Sequence, residues 1–201
     1  MADPAVREAI SRQARAWLEV NALVLDTETT GLGDDAEVVE LAVIDCTGAV
    51  LLDTLVRPSG PVPAEAAAIH GITDAMLADA PTWSEIHARF CDLVEGRQVV
   101  IYSREFDVRV INQTALRYGL QAPQGFDLAL DGSAVHCAMQ AYAEFRGEWS
   151  AEKGQYRWQK LSAAAAQQGV TVTNAHRALG DCLMTLGVVR AMASTGNAQG
   201  V

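Results

Sequence analysis

Four apolar residues, Ala22 to Leu25, open a run that then changes character: LVLDTETTG (Leu23–Gly31) places Asp26 and Glu28 two positions apart directly after them. A short apolar run predicts a buried strand, here 22–28, and the two-residue spacing puts both acids on one face of it. VVELAVID (Val38–Asp45) and VLLDTLV (Val50–Val56) are also strand-like, with Thr47-Gly48 as the turn between them, so the first three strands form a meander. QVVIY (Gln98–Tyr102) predicts a fourth strand and Phe126–Leu130 a further short one.

Helical spacing dominates elsewhere. Residues 4–19 carry Val6, Ile10, Ala14 and Trp17/Leu18 on one stripe, with Pro4 suited to a first turn. Further helices are predicted over Ala64–His70, Trp83–Glu95 with Thr82 as N-cap, Glu105–Tyr118 ended by Gly119, Ala134–Phe145, Trp158–Gln168 ended by Gly169, and from His176 or Arg177 to Ala193. Arg57–Pro63 and Arg146–Arg157 predict loops, and the tail from about 194 to 201 predicts fraying. No repeat, low-complexity tract or linker interrupts the pattern. A meander followed by alternating helices predicts one α/β domain over 1–201, with helices on both sides of a single sheet.

Composition narrows the function classes. A chain of 201 residues, 50% hydrophobic and 20% charged, can bury a real core. No run approaches the ~18 apolar residues of a membrane span, and early Asp3, Arg7 and Glu8 replace the apolar segment of a secretory signal. Cys46, Cys91, Cys137 and Cys182 lie far apart, with no C-x-x-C pair, which predicts reduced thiols and a cytoplasmic protein. The net charge of −10 argues against coating nucleic acid through a broad basic surface, but leaves room for an enzyme that grips a chain end with help from metal ions.

The acids carry the chemistry. Two buried carboxylates within about 7 Å repel by a few kcal/mol at an effective dielectric of ~20, and a divalent metal removes that cost while giving the pair a use. Asp107 lies five residues after QVVIY at a helix start. His176 and Asp181 lie five apart at the start of the last helix, and Asp181 sits in the apolar run ALGDCLMTLGVV, where a carboxylate needs a partner. Alone, Asp107 reads as a first-turn acid favoured by the helix dipole and His176 as a capping residue. Together, Asp26, Glu28, Asp107 and Asp181 are hard oxygen ligands suited to Mg²⁺ or Mn²⁺, and His176 is a base that titrates near neutral pH.

These motifs resemble those of the DEDDh (DnaQ-like) 3′–5′ exonucleases, the group that includes the epsilon proofreading subunit of DNA polymerase III. LDTETTG matches the first motif; SREFD (Ser103–Asp107) matches the second, with Ser103 in place of the usual Asn; HRALGD (His176–Asp181) matches the third; and HGI (His70–Ile72) is also similar. The resemblance spans 22–185 and implies an RNase H-like fold with a central mixed five-stranded sheet. It implies that Asp26, Glu28, Asp107 and Asp181 hold two Mg²⁺ or Mn²⁺ ions, with His176 as general base. It also implies that the partner is a nucleic acid with a free 3′ end, as a single strand, that Thr29 meets its terminal 3′-hydroxyl, and that Leu32 and Ile72 pack against its last bases. The aspartate often found between the second and third motifs has no clear equivalent near His136-Cys137, and neither His136 nor His87 is given a catalytic role.

A polar and aromatic stretch, Arg146 to Lys160, interleaves Arg146, Lys153, Arg157 and Lys160 with Trp149, Tyr156 and Trp158. Trp149 and Arg157 are the expected grip on a single strand; Glu148 and Glu152 oppose the charge, and Trp158 has an alternative reading as core. Two other functions compete with the nuclease. D-x-E-x-T after an apolar strand is close to the D-x-D-x-T of haloacid-dehalogenase phosphatases, with Gly180-Asp181 imitating their later motif, but Thr185 stands where the second acid is required. A non-catalytic nucleic-acid or polymerase-binding module is the third reading, and the presence of all five proposed catalytic residues speaks against it.

Overall fold

The computed structural model describes residues 3–126, 134–171 and 175–195. Helix α1 (Pro4–Glu19) starts where the Asp3 side chain accepts from the Ala5 N–H at 2.8 Å. Strands β1 (Leu23–Thr29), β2 (Val38–Asp45) and β3 (Val50–Leu55) follow, then short α2 (Ala64–His70) and α3 (Asp74–Leu77), then α4 (Trp83–Val94). Strand β4 (Val99–Ile101) leads into α5 (Arg104–Arg117), and β5 (Val135–Cys137) into α6 (Ala138–Arg146). A small hairpin of β6 (Trp149–Ser150) and β7 (Gln155–Tyr156) precedes α7 (Leu161–Gln167) and α8 (Ala178–Ser194). Among the described residues no helix is long and apolar enough to cross a membrane.

The main sheet has five strands in the order β3-β2-β1-β4-β5. The β1–β2 and β2–β3 pairs are antiparallel, whereas β4 runs parallel to β1 and β5 parallel to β4. The mixed five-stranded sheet with helices on both faces is therefore present.

Strand periodicity sorts the side chains into two cores. Val24, Ala42, Ile44 and Val100 face α1, α6, α7 and α8, where they meet Trp17, Tyr142, Cys182 and Val189. Leu23, Leu25, Leu41, Val43 and Ile101 face α4 and α5, against Trp83, Phe90, Val108 and Ile111. Strand β1 is central and feeds both cores, so its carboxyl end is held from two sides.

Three expectations need correction. Val135–Cys137 is the fifth strand, not the start of a helix; three residues are too few for periodicity to separate from the helix that follows. Of the strand predicted at Phe126–Leu130, Phe126 is a buried residue outside any strand, and 127–130 lie outside the described residues. The loop predicted from Arg146 to Arg157 contains the β6–β7 hairpin, and Trp158 to Lys160 is not helical, so α7 begins at Leu161.

Candidate active site

The alternation that puts Val24 in the α8 core carries Asp26 and Glu28 to the same side, where α8 brings Asp181. Carboxylate oxygens of Asp26, Glu28 and Asp181 all lie within 4.8 Å of one another. Thr27, on the other face of β1, reaches the first turn of α5. There its Oγ1 donates to Asp107 Oδ1 at 2.7 Å and its N–H to the same oxygen at 3.2 Å. Asp107 is 3% exposed. It stands outside the three-carboxylate group, yet among neighbouring charges it comes first in perturbing Asp26.

Crowding and burial raise the pKa values of these acids. Burial, then the charges of Asp107, Asp181 and Glu28, raise Asp26 well above the usual carboxylate range. Burial pushes Glu28 up to about 8, with Asp181 and Glu40 adding to it. Burial pushes Asp107 up to about 7 against the opposing pull of its Thr27 bonds. Burial also raises Asp181, while its bond from the His176 N–H and the His176 charge lower it. Acids this close and this poorly neutralised match a site built for added positive charge, and an all-carboxylate set suits Mg²⁺ or Mn²⁺.

His176 is exposed beside Asp181, and its backbone N–H donates to Asp181 Oδ1 at 3.3 Å. Its φ of 63° is the left-handed conformation that non-glycine residues seldom adopt, and such strain gathers at functional sites.

The sequence reading missed how α8 is aimed. Glu40 on β2 lies directly opposite Glu28, an arrangement that by itself repels. Arg177 resolves it: Nε donates to the two Glu40 oxygens at 3.0 and 3.1 Å, and Nη2 adds a third bond. The Ala178 N–H donates to Glu40 Oε2 at 2.9 Å. Helix α8 has no side-chain cap from its own N-cap residue, Arg177, so an acid from β2 satisfies its first turn. The signal was present, since Glu40 interrupts the apolar residues of VVELAVI (38–44) and is 3% exposed.

His70, noted in the sequence only as part of HGI, has a positioning geometry. Its Nδ1 accepts from the Ile72 N–H at 3.0 Å, so Nε2 carries the proton and faces the Thr29 carbonyl at 3.3 Å. Burial lowers the His70 pKa, in keeping with this neutral ring. The HGI turn thus holds the end of β1.

The expected substrate residues divide. Thr29 closes β1, its Oγ1 donating to the Gly31 carbonyl at 2.8 Å. Leu32 is 81% exposed on a loop pinned by Arg109, which donates to the Leu32 and Gly33 carbonyls at 3.0 Å each. Ile72 is 0% exposed and packs with Val39 and Leu77. A groove of about 590 Å³ is lined by Leu32, Ser103, Met139, Trp158, Lys160 and His176, among others. Ser103 thus faces this groove, and its side chain makes no capping bond to α5. Trp149 and Arg157 do not line that groove; they lie beyond it on and beside the β6–β7 hairpin. Arg146 ends α6 and pairs with Glu148.

Comparison with known proteins decides between the competing readings. The sequence profile of an exonuclease family, RNase T, matches residues 23–189. The chain belongs to the DnaQ-like exonuclease family. An uncharacterized exonuclease of Escherichia phage 186 is 52% identical over 190 residues, covering 94% of this chain and 96% of that one. A DNA polymerase III epsilon-like protein of Rhodobacter capsulatus is 32% identical over 174 residues, covering 81% of this chain but only 22% of that longer protein. Among solved structures, exonuclease X in complex with 5′ overhanging duplex DNA superposes with a TM-score of 0.59 at 28% identity, over 87% of this chain and 92% of that one. The fold is RNase H-like and the chain is an exonuclease of a metal-dependent family. The phosphatase reading fails on its own terms as well, because Thr185 is fully buried in α8.

Proposed function

We propose that this exonuclease removes nucleotides from the 3′ end of a nucleic-acid strand, using two Mg²⁺ or Mn²⁺ ions and His176 as general base. The observation that carries the reading is the approach of Asp26, Glu28 and Asp181 carboxylates to within 4.8 Å. Asp26, Glu28, Asp107 and Asp181 would hold the ions, the first, second and fourth of them from the three-carboxylate group. When bound, the ions supply the positive charge that offsets the phosphodiester and its developing oxygens.

The chain's own groups do the rest. His176, exposed at the groove, takes a proton from the attacking water as it adds to phosphorus. The P–O bond to the 3′ oxygen of the preceding nucleotide breaks, and that oxygen takes a proton from solvent water, leaving a nucleoside 5′-monophosphate and a new 3′-hydroxyl. The backbone at Thr29, with Glu28, meets the terminal 3′-hydroxyl, and Leu32 packs against the last base. The groove favours a single strand, and the free cysteines Cys46, Cys91, Cys137 and Cys182 favour the cytoplasm.

The test is degradation of matched 5′-labelled DNA and RNA oligonucleotides with Mg²⁺. A ladder shortening from the 3′ end is expected, and the preferred sugar is read from the same gel. Asp26→Ala should slow it about a thousand-fold, the scale of a lost metal contribution of several kcal/mol. Labelled fragments released from the 5′ end, or full activity in Asp26→Ala, would remove the proposal.

A further inference from the structure

Trp158 is out of place in a folded core: it is 54% exposed, in a chain whose other tryptophans include the buried Trp17 and Trp83. It also borders three depressions at once. One is the groove of Leu32, Ser103 and His176; the second lies between α6 and the hairpin, beside Trp149 and Tyr156; the third lies beside Lys153 and Arg157. The Trp158 ring is therefore the ridge across which the groove continues onto the hairpin.

The backbone beneath that ridge is fixed from both sides. The Tyr102 hydroxyl, at the end of β4, donates to the Gln159 carbonyl at 2.8 Å, and the Arg157 N–H donates to the Glu148 carbonyl at 2.8 Å. Trp149 meets Tyr156 edge-on, with ring centroids 5.3 Å apart, so a second exposed aromatic is held in one orientation. Charge runs the same way. Glu148, which weakened the case for a grip from sequence, is paired with Arg146 and also accepts from Gln159. Lys153, Arg157 and Lys160 remain exposed against Glu144 and Glu152, so the surface is aromatic first and cationic second.

We propose that the 149–160 segment is a track for a single nucleic-acid strand, on which Trp158 stacks a base upstream of the 3′ end and Lys160 meets the adjoining phosphate. The proposal rests on the 3′-end reading above for its direction. An occupant of this chemistry fits because the track is continuous with the proposed cleavage groove. Exposed rings on a pinned backbone stack any base without reading its edge, and cations beside them meet the backbone. A duplex would be the outcome if affinity followed paired rather than unpaired length.

The test is binding of a 5′-labelled oligothymidylate to the full chain in an Asp26→Asn background with Mg²⁺, so that the probe is not consumed. Trp158→Ala should weaken binding roughly ten-fold or more and remove most of the quenching of tryptophan fluorescence, with Trp158→Phe restoring much of the affinity. Lys160→Ala should lower the slope of log affinity against log salt by about 0.7, one phosphate contact. Binding within two-fold of the parent for Trp158→Ala, or an unchanged salt slope for Lys160→Ala, would overturn the track. Weaker binding to oligothymidylate than to a blunt duplex would assign the surface to paired substrate and also overturn it. Failure of the nuclease reading is scored separately, by the absence of a ladder with the unmodified chain.

Discussion

Two helix starts bring acids to β1, and they are held in opposite ways. Helix α5 follows β4 after Tyr102 and Ser103, so chain continuity places Asp107, and Thr27 locks it from the neighbouring strand. Helix α8 has no strand leading straight into it among the described residues, and an ion pair from Glu40 to Arg177 takes over the aiming. The first acid is nearly sealed, while the second sits half-buried beside an exposed histidine in a left-handed turn. The α5 side is preassembled by local connectivity; the α8 side is assembled by a contact between residues 137 positions apart.

Breaking the α8 holder has the largest expected effect. Glu40→Ala strips Arg177 and the Ala178 N–H of their acceptor, and the loss should cost about 1.5–3 kcal/mol, the range for hydrogen bonds to a charged group. Thermal unfolding should fall by roughly 3–10 °C. Cleavage should drop about 10–100-fold through kcat, as for other supports of metal ligands. Glu40→Gln, which keeps an acceptor for Ala178, should recover part of both; full activity in Glu40→Ala would mean that α8 needs no aiming.

Loosening the α5 holder should do less. Thr27→Val removes the hydroxyl bond to Asp107, worth about 1 kcal/mol, and leaves the backbone N–H in place. The lost donor had favoured the charged form, so the Asp107 pKa rises further above about 7. Mn²⁺ affinity measured by calorimetry should therefore fall a few-fold at pH 7 and recover by about pH 8.5. Equal loss at both pH values would place the effect in packing and not in the proton.

Stability without metal should depend on pH. Glu28 at about 8 and Asp107 at about 7 are raised above their unfolded values of 4.5 and 3.8, so the native state binds more protons than the unfolded one through that window. Stability from this source is full below the unfolded pKa values and is lost as pH rises through the folded ones. In EDTA the melting temperature should fall as pH rises from 5 to 8, and Mg²⁺ should reverse the trend. A melting temperature that rises with pH in EDTA would contradict the crowded acids.

This contrast also explains what the sequence made legible. Asp26 and Glu28 were readable because strand alternation is a local rule, whereas Asp107 alone read as a first-turn acid and joined the site only through the set of acids and the likeness of SREFD to the second motif. Glu40 and Arg177 were not paired in advance, because nothing local says which acid on β2 meets which cation at α8. Val135–Cys137 escaped because its place comes from pairing with β4, a long-range event in a three-residue segment. Ile72 was assigned to substrate by the resemblance alone, whereas its burial against Val39 and Leu77 depends on where the loop after β3 lands. Trp158 was ambiguous for a similar reason, since exposure is a property of the folded surface.

Strand β1 contributes to both hydrophobic layers with alternating residues. A slip of one residue there would drive Asp26 and Glu28 into the layer of Trp83 and Phe90 and turn Leu23 and Leu25 toward α8. Such a misthreaded molecule would lose its interior along with its acids. Single-residue insertions or deletions between 23 and 28 should therefore yield no soluble, inactive look-alike, only chains that fail quality control.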